Sequence, residues 1–457
     1  VCPCYFPYTL SGMIPRMTNK KAFIQTYGCQ MNEHDSSRMM EILSSLGYER
    51  TGEMADASLI LVNTCSVRHN PENKVYSFLG TLERLKQRNP ALIVGVAGCV
   101  AQQGGEAILR RARAVDMVFG PDQMFRLPEM LHAVEHGERI AWTDWQDVRG
   151  RVHNFIPGEW IERGHLDGCV AFIAISKGCS NGCAFCIVPS VRGREISREP
   201  DNILEEARAL MARGAKEIWL LGQNVNAYHA GKTRFMDLLD AVSRLGVPRI
   251  RFTSPHPKDW DNALSDLMAS RPNICKYLHL PLQSGADRIL EKMNRRHSLD
   301  EYLDKVRYVR RANPSVEIST DLIVGFPTET NAEFEDTLRA MEAIRFSQVF
   351  SFKYSPRPGT RAAKWPDDVP RAVKEERLAR LIETQDRINA EQMAAYVGTE
   401  QEILIDGKHP KRKKIWSGRT DGYRPVSVVC EGLAVGDFVK VRISGVQGHW
   451  LTAEGKV

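Results

Sequence analysis

From Lys20 to His136, short apolar runs alternate with stretches whose apolar residues recur every three or four positions, which predicts an α/β domain on a parallel sheet. Three of the predicted strands end alike: AFIQTYGC closes on Cys29, SLILVNTC on Cys65 and ALIVGVAGC on Cys99. Ligands of open α/β sheets gather beyond the carboxyl ends of the strands, so cysteines at three such ends can converge on one point. Taken singly, each reads first as a small buried hydrophobe. The repetition turns the reading toward a metal site. SSRMMEILSSLG, stopped at Gly47, and the stretch from Pro71 to Arg88 supply crossover helices.

A polar, tryptophan-bearing stretch over residues 138–164 has little periodicity and reads as an interdomain linker whose tryptophans anchor packing. From Cys169 to about Tyr354 six strand-like runs appear: VAFIAIS, EIWLLG, RIRFTS, KYLHLP, VEISTDLIVG and QVFSFKY. Amphipathic stretches such as NILEEARALMARG and EFEDTLRAMEAI separate them, so right-handed βα units predict a partial or full barrel with its active face at the strand carboxyl ends. Pro370 to Met393 reads as a charged helix with a solvated face that braces the barrel against the C-terminal module. Five β-rich runs after Gly398 predict a small β-barrel of the kind that grips single-stranded nucleic acid. The expected organisation is a tail over 1–18, an N-terminal α/β domain over 19–137, the linker, a barrel core over 165–396 and an all-β module over 397–457.

Composition narrows the class. The 457 residues exceed one ordinary hydrophobic core. A hydrophobic share of 43% and a charged share of 26% exclude a disordered or membrane chain, and no apolar run reaches the roughly 18 residues of a bilayer span. The net charge of +6 is modest, but residues 398–457 hold ten Lys and Arg against seven Asp and Glu, half of the excess, which points that module toward nucleic acid. Eleven cysteines, an odd number without a secretory signal, argue for reduced thiols, metal ligands and a cytoplasmic protein. Val1 to Thr18 reads as a tail upstream of a start at Met13 or Met17, and its Cys2 and Cys4 as part of a poorly ordered terminus.

The chemistry concentrates in KGCSNGCAFCIVPSVRGRE, where Cys179, Cys183 and Cys186 stand in C-x3-C-x2-C spacing directly after the first barrel strand. Thiolates are the usual ligands of iron–sulfur clusters, and three of them leave one iron of a 4Fe-4S cluster open. An open iron can take the amino and carboxylate groups of S-adenosylmethionine and pass an electron to its sulfonium, a radical source supplied by the cofactor and oriented by the protein. Zinc is the competing reading, and the lack of a fourth nearby Cys or His disfavours it. Phe185, just before the last cysteine, stands where the radical S-adenosylmethionine signature carries an aromatic.

From about Lys20 onward the chain resembles the methylthiotransferase family of radical S-adenosylmethionine enzymes. The resemblance rests on QTYGCQMNEHDS, the three-cysteine segment running into RGREISR, LHLPLQSG and STDLIVGFPTET, and with FKYSPRPGT it favours the branch that acts on tRNA. It implies a second 4Fe-4S cluster on Cys29, Cys65 and Cys99, a C-terminal TRAM barrel gripping tRNA, and methylthiolation at C2 of N6-dimethylallyladenosine at position 37 of the anticodon loop. Two S-adenosylmethionine molecules are implied, one as methyl donor and one as radical source, with sulfur delivered through the auxiliary cluster. Expected partners are the tRNA anticodon stem-loop, an electron donor of flavodoxin or ferredoxin type and iron–sulfur assembly proteins; the expected state is a monomer away from membranes. Sister branches modify threonylcarbamoyl-adenosine in tRNA or an aspartate of a ribosomal protein.

Other candidates sit at the barrel mouth. Gly222, Gln223 and Asn224 end the second strand, Ser254 and His256 follow the third, Gln283 and Ser284 follow the fourth, and Asp321 lies in the fifth. Of these, Gly222, Gln223, Asn224, Gln283 and Asp321 are the expected S-adenosylmethionine contacts. Gly325 reads as a point of close backbone approach to adenine. His256, held between two prolines, reads equally as a loop cap. Arg192, Arg194 and Arg198 read either as contacts to phosphate or to the S-adenosylmethionine carboxylate, or as ion pairs with Glu195 and Glu199. In the terminal module Lys408, Lys411, Arg412, Lys413 and Lys414, with Trp416 and Arg419, form the expected RNA surface. Cys169, Cys275 and Cys430 lack a cluster spacing and read as core or surface thiols.

Overall fold

The N-terminal sheet forms from segments apolar on both faces, of which Leu59–Thr64 is buried at every position. A computed structural model describes residues 20–65, 69–146, 150–409 and 412–455, without the side chains of 69–74 and 412–414. The expected tail, with Cys2, Cys4, Met13 and Met17, and also Lys411, lie outside the described residues. Strands β1 (Lys21–Tyr27), β2 (Glu49–Arg50), β3 (Leu59–Thr64), β4 (Ile93–Gly98), β5 (Met117–Phe119) and β6 (Ile140–Trp142) form one parallel sheet in the order β2-β1-β3-β4-β5-β6. Helices α1 (Gln30–Ser45), α2 (His69–Arg88), α3 (Cys99–Gly104), α4 (Glu106–Arg111) and α5 (Leu127–Glu135) connect them. β6 falls inside the stretch read as linker. Three residues are too short to show a period, and only pairing with β5 makes them a strand.

The barrel begins with β7 (His165–Asp167), antiparallel to β8 (Val170–Ala174). A short antiparallel pair, β9 (Ser176–Lys177) and β10 (Ile196–Ser197), brackets the three-cysteine segment and α6 (Val188–Arg192). Then come α7 (Pro200–Ala212), β11 (Glu217–Leu221), a hairpin of β12 (His229–Ala230) and β13 (Thr233–Arg234), α8 (Phe235–Ser243), β14 (Arg249–Phe252), α9 (Asn262–Ser270) and β15 (Tyr277–His279). Helices α10 (Asp287–Lys292) and α11 (Leu299–Ala312), β16 (Glu317–Val324), α12 (Asn331–Ile344) and β17 (Gln348–Lys353) complete it. β8, β11 and β14 pair in parallel, as do β15, β16 and β17, and an Ile250–Ile274 bridge joins the two sets. Among the described residues β17 makes no ladder with β8, so the six strands form a partial barrel open at that edge.

α13 (Arg371–Ala394) packs Leu381 and Ile388 into the barrel core. Its face is less solvated than its charge suggested, for Lys374 and Arg377 are buried, Arg377 pairing with Glu329 at 2.7 Å. β18 (Glu400–His409), β19 (Arg412–Thr420), β20 (Pro425–Val429), β21 (Phe438–Gln447) and β22 (Trp450–Glu454) close into a small barrel around Ile403, Val426, Val441 and Leu451. Buried Arg251 docks it on the core, donating to the carbonyls of Asp421 at 2.7 Å and Thr420 at 3.0 Å and pairing with Glu217 at 2.9 Å.

A second buried network joins the N-terminal domain to the core. Glu206 of α7 accepts from Arg38 of α1 and, at 2.6 Å, from Arg198, all three side chains being fully buried. Burial alone would raise the Glu206 pKa, but the two guanidinium groups pull it below its ordinary value. Glu206→Ala strands two buried cations, and chemical denaturation is expected to show a loss of about 3–5 kcal/mol. A depressed carboxyl pKa stabilises the fold above the unfolded value, so stability is expected to fall as pH drops below about 4.

Candidate functional site: two cysteine triads at a domain seam

The first triad is a consequence of register. Tyr27 lies opposite Thr64, and Thr64 opposite Gly98, so three adjacent strands end level with one another. Cys65 and Cys99 follow at once, and Cys29 comes two residues after Tyr27 as the N-cap of α1. The turn before Cys99 needs glycine: Gly98 has φ +89°, and a side chain there would strike the Thr64 backbone. Cys65 and Cys99 are buried, whereas Cys29 faces outward. A hydrogen bond from Cys65 lowers the Cys29 pKa, and the Arg192 charge assists. Burial pushes the Cys99 thiol up despite the same arginine.

The second triad rides on the loop between β9 and α6. Gly178, at φ +74°, opens it where a Cβ would collide with the Arg194 carbonyl, and its N–H donates to Gln223 Oε1. Cys179 N–H donates to the Gly193 carbonyl at 3.2 Å, and Ala184 N–H to that of Met293 at 2.9 Å. Arg295 Nη1 donates to Cys183 Sγ at 3.5 Å. Burial, then the Cys183 charge among the smaller causes, pushes Cys179 up to about 11 and Cys186 up to about 12.

Among the described residues, no three His, Cys, Asp or Glu side chains group closely enough to hold a single metal ion. A cluster takes each thiolate on a separate iron, and each triad offers three cysteines outside any disulfide, with no fourth protein ligand required. The donor chemistry therefore fits a cluster with one open iron in each place, and single-ion zinc fits poorly.

The segments that carry the two triads meet across the seam between the domains. Cys99 packs with Ile187 and Val191, so the first triad abuts the residue after Cys186. Arg192 reaches back, pairing with Asp35 of α1 at 2.7 Å and donating from Nε to Cys99 Sγ at 3.4 Å. Sequence reasoning offered Arg192 phosphate, S-adenosylmethionine or a neighbouring glutamate. The structure gives it no neighbouring glutamate, because its side-chain partners come from the other domain. Arg198 pairs with Glu206 instead of Glu195 or Glu199, and Arg194 is exposed.

The mouth residues take specific places. Gly222 lies against Ser176 and Val225, Gln223 braces the cysteine loop through Gly178, and Asn224 bonds Asp259 at 2.9 Å and the His256 N–H at 3.2 Å. Gln283 adopts φ +77° and bridges to β16, donating its N–H to the Asp321 carbonyl at 2.9 Å. The Asp321 carboxylate faces His279 at 3.4 Å. His256 caps a short turn by accepting from Lys258 N–H at 3.2 Å, and Ser284 accepts from Ala286 N–H in a local turn. Gly325 has φ +68° and lies against α13, where a Cβ would strike the Lys374 side chain. Arg295, which the sequence reading missed, has no motif spacing to betray it, since only the barrel fold carries it to Cys183.

In the terminal barrel Lys408 lies over the Trp416 ring at 3.1 Å, and Arg419 is held by Asp406 at 3.3 Å and stacked on Tyr423 at 4.6 Å. Arg412, Lys413 and Lys414 lie on β19, and their side chains are outside the described ones. Cys169 and Cys275 are buried core thiols and Cys430 is partly exposed, as their spacing suggested.

Comparison with known proteins places this geometry. Residues 21–120 match the model described as Uncharacterized protein family UPF0004, residues 173–341 the Radical SAM superfamily and residues 394–455 the TRAM domain. A protein of Geotalea uraniireducens is 43% identical over 94% of this chain and 97% of its own length, and one of Syntrophobacter fumaroxidans is 44% identical over 94% and 95%. Both carry the name tRNA-2-methylthio-N(6)-dimethylallyladenosine synthase. The fold alone is shared with the radical S-adenosylmethionine methyltransferase TsrM of Kitasatospora setae, at TM-score 0.55 and 14% identity over 76% of this chain and 77% of that one. The level strand ends, the three-cysteine loop at a barrel mouth and the near full-length likeness agree: this chain belongs to the tRNA-2-methylthio-N(6)-dimethylallyladenosine synthase family of radical S-adenosylmethionine enzymes.

Proposed function

We propose that the protein methylthiolates C2 of N6-dimethylallyladenosine at position 37 of the tRNA anticodon loop. The observation that supports this reading is the packing of Cys99 on Ile187 and Val191, which sets one cysteine of the N-terminal domain against the segment that follows Cys186. An aromatic C2–H is too inert for acid or base chemistry, so a radical source and a sulfur donor must address one substrate atom in one cavity.

Cys179, Cys183 and Cys186 hold the 4Fe-4S cluster of the barrel, and Cys29, Cys65 and Cys99 hold the auxiliary 4Fe-4S cluster. When bound, these groups supply a radical derived from S-adenosylmethionine and the sulfur to be transferred, with a second S-adenosylmethionine as methyl donor. The chain's own residues position and enclose. Gly178 and Gln223 fix the cysteine loop, and Gly222, Asn224, Gln283 and Asp321 line the side of the mouth assigned to S-adenosylmethionine. Arg295 offers a cation beside Cys183. Lys411, Arg412, Lys413, Lys414 and Arg419 are assigned as the tRNA contacts of this module, whose basic residues and Trp416 suit stacking and phosphate neutralisation of an unpaired loop. The domain bounds proposed are those read from the sequence, with β6 assigned to the N-terminal sheet. We assign the protein to the cytoplasm as a monomer, with a flavodoxin or ferredoxin as reductant and assembly proteins supplying the clusters.

Nucleoside digests of tRNA from a deletion strain are expected to lack the 2-methylthio derivative of dimethylallyladenosine; its persistence contradicts the reading. In purified enzyme Cys183→Ala is expected to abolish release of 5′-deoxyadenosine, whereas Cys65→Ala should retain release but form no thiomethylated product. Replacing Lys413 and Lys414 with alanine is expected to weaken tRNA binding and flatten its salt dependence by about one unit of log–log slope for each phosphate no longer neutralised.

A further inference from the structure

Arg192 does more than either cysteine loop requires of it. It ends α6, six residues after Cys186, and sends its guanidinium out of the barrel into the N-terminal domain. There Nη2 meets Asp35 at 2.7 Å and Nε donates to Cys99 Sγ at 3.4 Å. The side chain is 7% exposed, and beside it Cys99 packs on Ile187, five residues before it, and on Val191, its chain neighbour. Docking does not need the sulfur contact, since Arg38, Arg198 and Glu206 already tie the domains through a separate buried network.

We propose that Arg192, a residue of the barrel, is a positioning residue that sets the reduction potential of the cluster held by the other domain. The inference rests on the assignment of Cys29, Cys65 and Cys99 as ligands. Reduction adds negative charge to a cluster and its sulfurs, so a hydrogen bond and a buried cation at a ligating sulfur stabilise the reduced form. Low local polarity strengthens both effects. Asp35 works in the opposite sense by neutralising part of the arginine's charge. The auxiliary potential therefore depends on the domains being docked, and it takes its normal value only when α6 is in place.

The test uses the full chain with Cys179→Ala, Cys183→Ala and Cys186→Ala, reconstituted anaerobically with iron and sulfide so that one cluster is read alone. About four irons per chain are expected in this background. Absence of iron overturns the ligand assignment, and the proposal with it. With iron bound, a redox titration followed by electron paramagnetic resonance is expected to place the Arg192→Gln midpoint below that of the background. Asp35→Asn is expected to raise it, a sign opposite to that of a shared loosening of the seam. Arg192→Lys keeps the charge without the fork and should fall between Arg192→Gln and the parent. Unchanged midpoints, or shifts of one sign in Arg192→Gln and Asp35→Asn at full iron content, overturn the role of Arg192 and leave the ligand assignment standing.

Discussion

Arg192 and Asp35 meet where water is nearly excluded, and an ion pair in that setting tolerates little displacement. Taking either charge out of water is costly, and separating them without water entering costs more still. The pair is therefore satisfied in one arrangement, with α6 laid against the carboxyl ends of the N-terminal strands. Arg38, Glu206 and Arg198 impose the same arrangement about one turn further along the same face of α1. The two cysteine triads inherit their separation from these charges.

The same economy governs the terminal barrel. Arg251 reaches from β14 to the carbonyls of Thr420 and Asp421, while Arg424 returns from the barrel to Glu317 at 2.9 Å. Buried planar cations that satisfy several carbonyl and carboxylate oxygens at once fix orientation more tightly than apolar contact alone. The terminal module is thereby docked on the core in one fixed orientation.

The parts legible in the sequence were those set by local pattern. Strand ends at Cys29, Cys65 and Cys99 were readable because each strand is a short apolar run closed by a turn, and adjacency of β1, β3 and β4 then brought them level. The six barrel strands and the terminal barrel were readable for the same reason. β2, β5 and β6 were not, because two or three residues carry no period and owe their state to a neighbour. Arg192 read either as a ligand contact or as a partner of nearby glutamates, whereas the side chains it meets in the fold stand 157 and 93 residues away. Arg295 beside Cys183 and Gly325 against Lys374 are likewise products of folding, without a signal in their own neighbourhood.

The central claim is that one chain holds two clusters, each on three cysteines, on facing sides of a domain seam. Iron and acid-labile sulfide analysis of anaerobically prepared protein tests it most directly. About eight irons and eight sulfides per chain are expected. About four of each, unchanged when Cys29, Cys65 and Cys99 are all replaced with alanine, would contradict it.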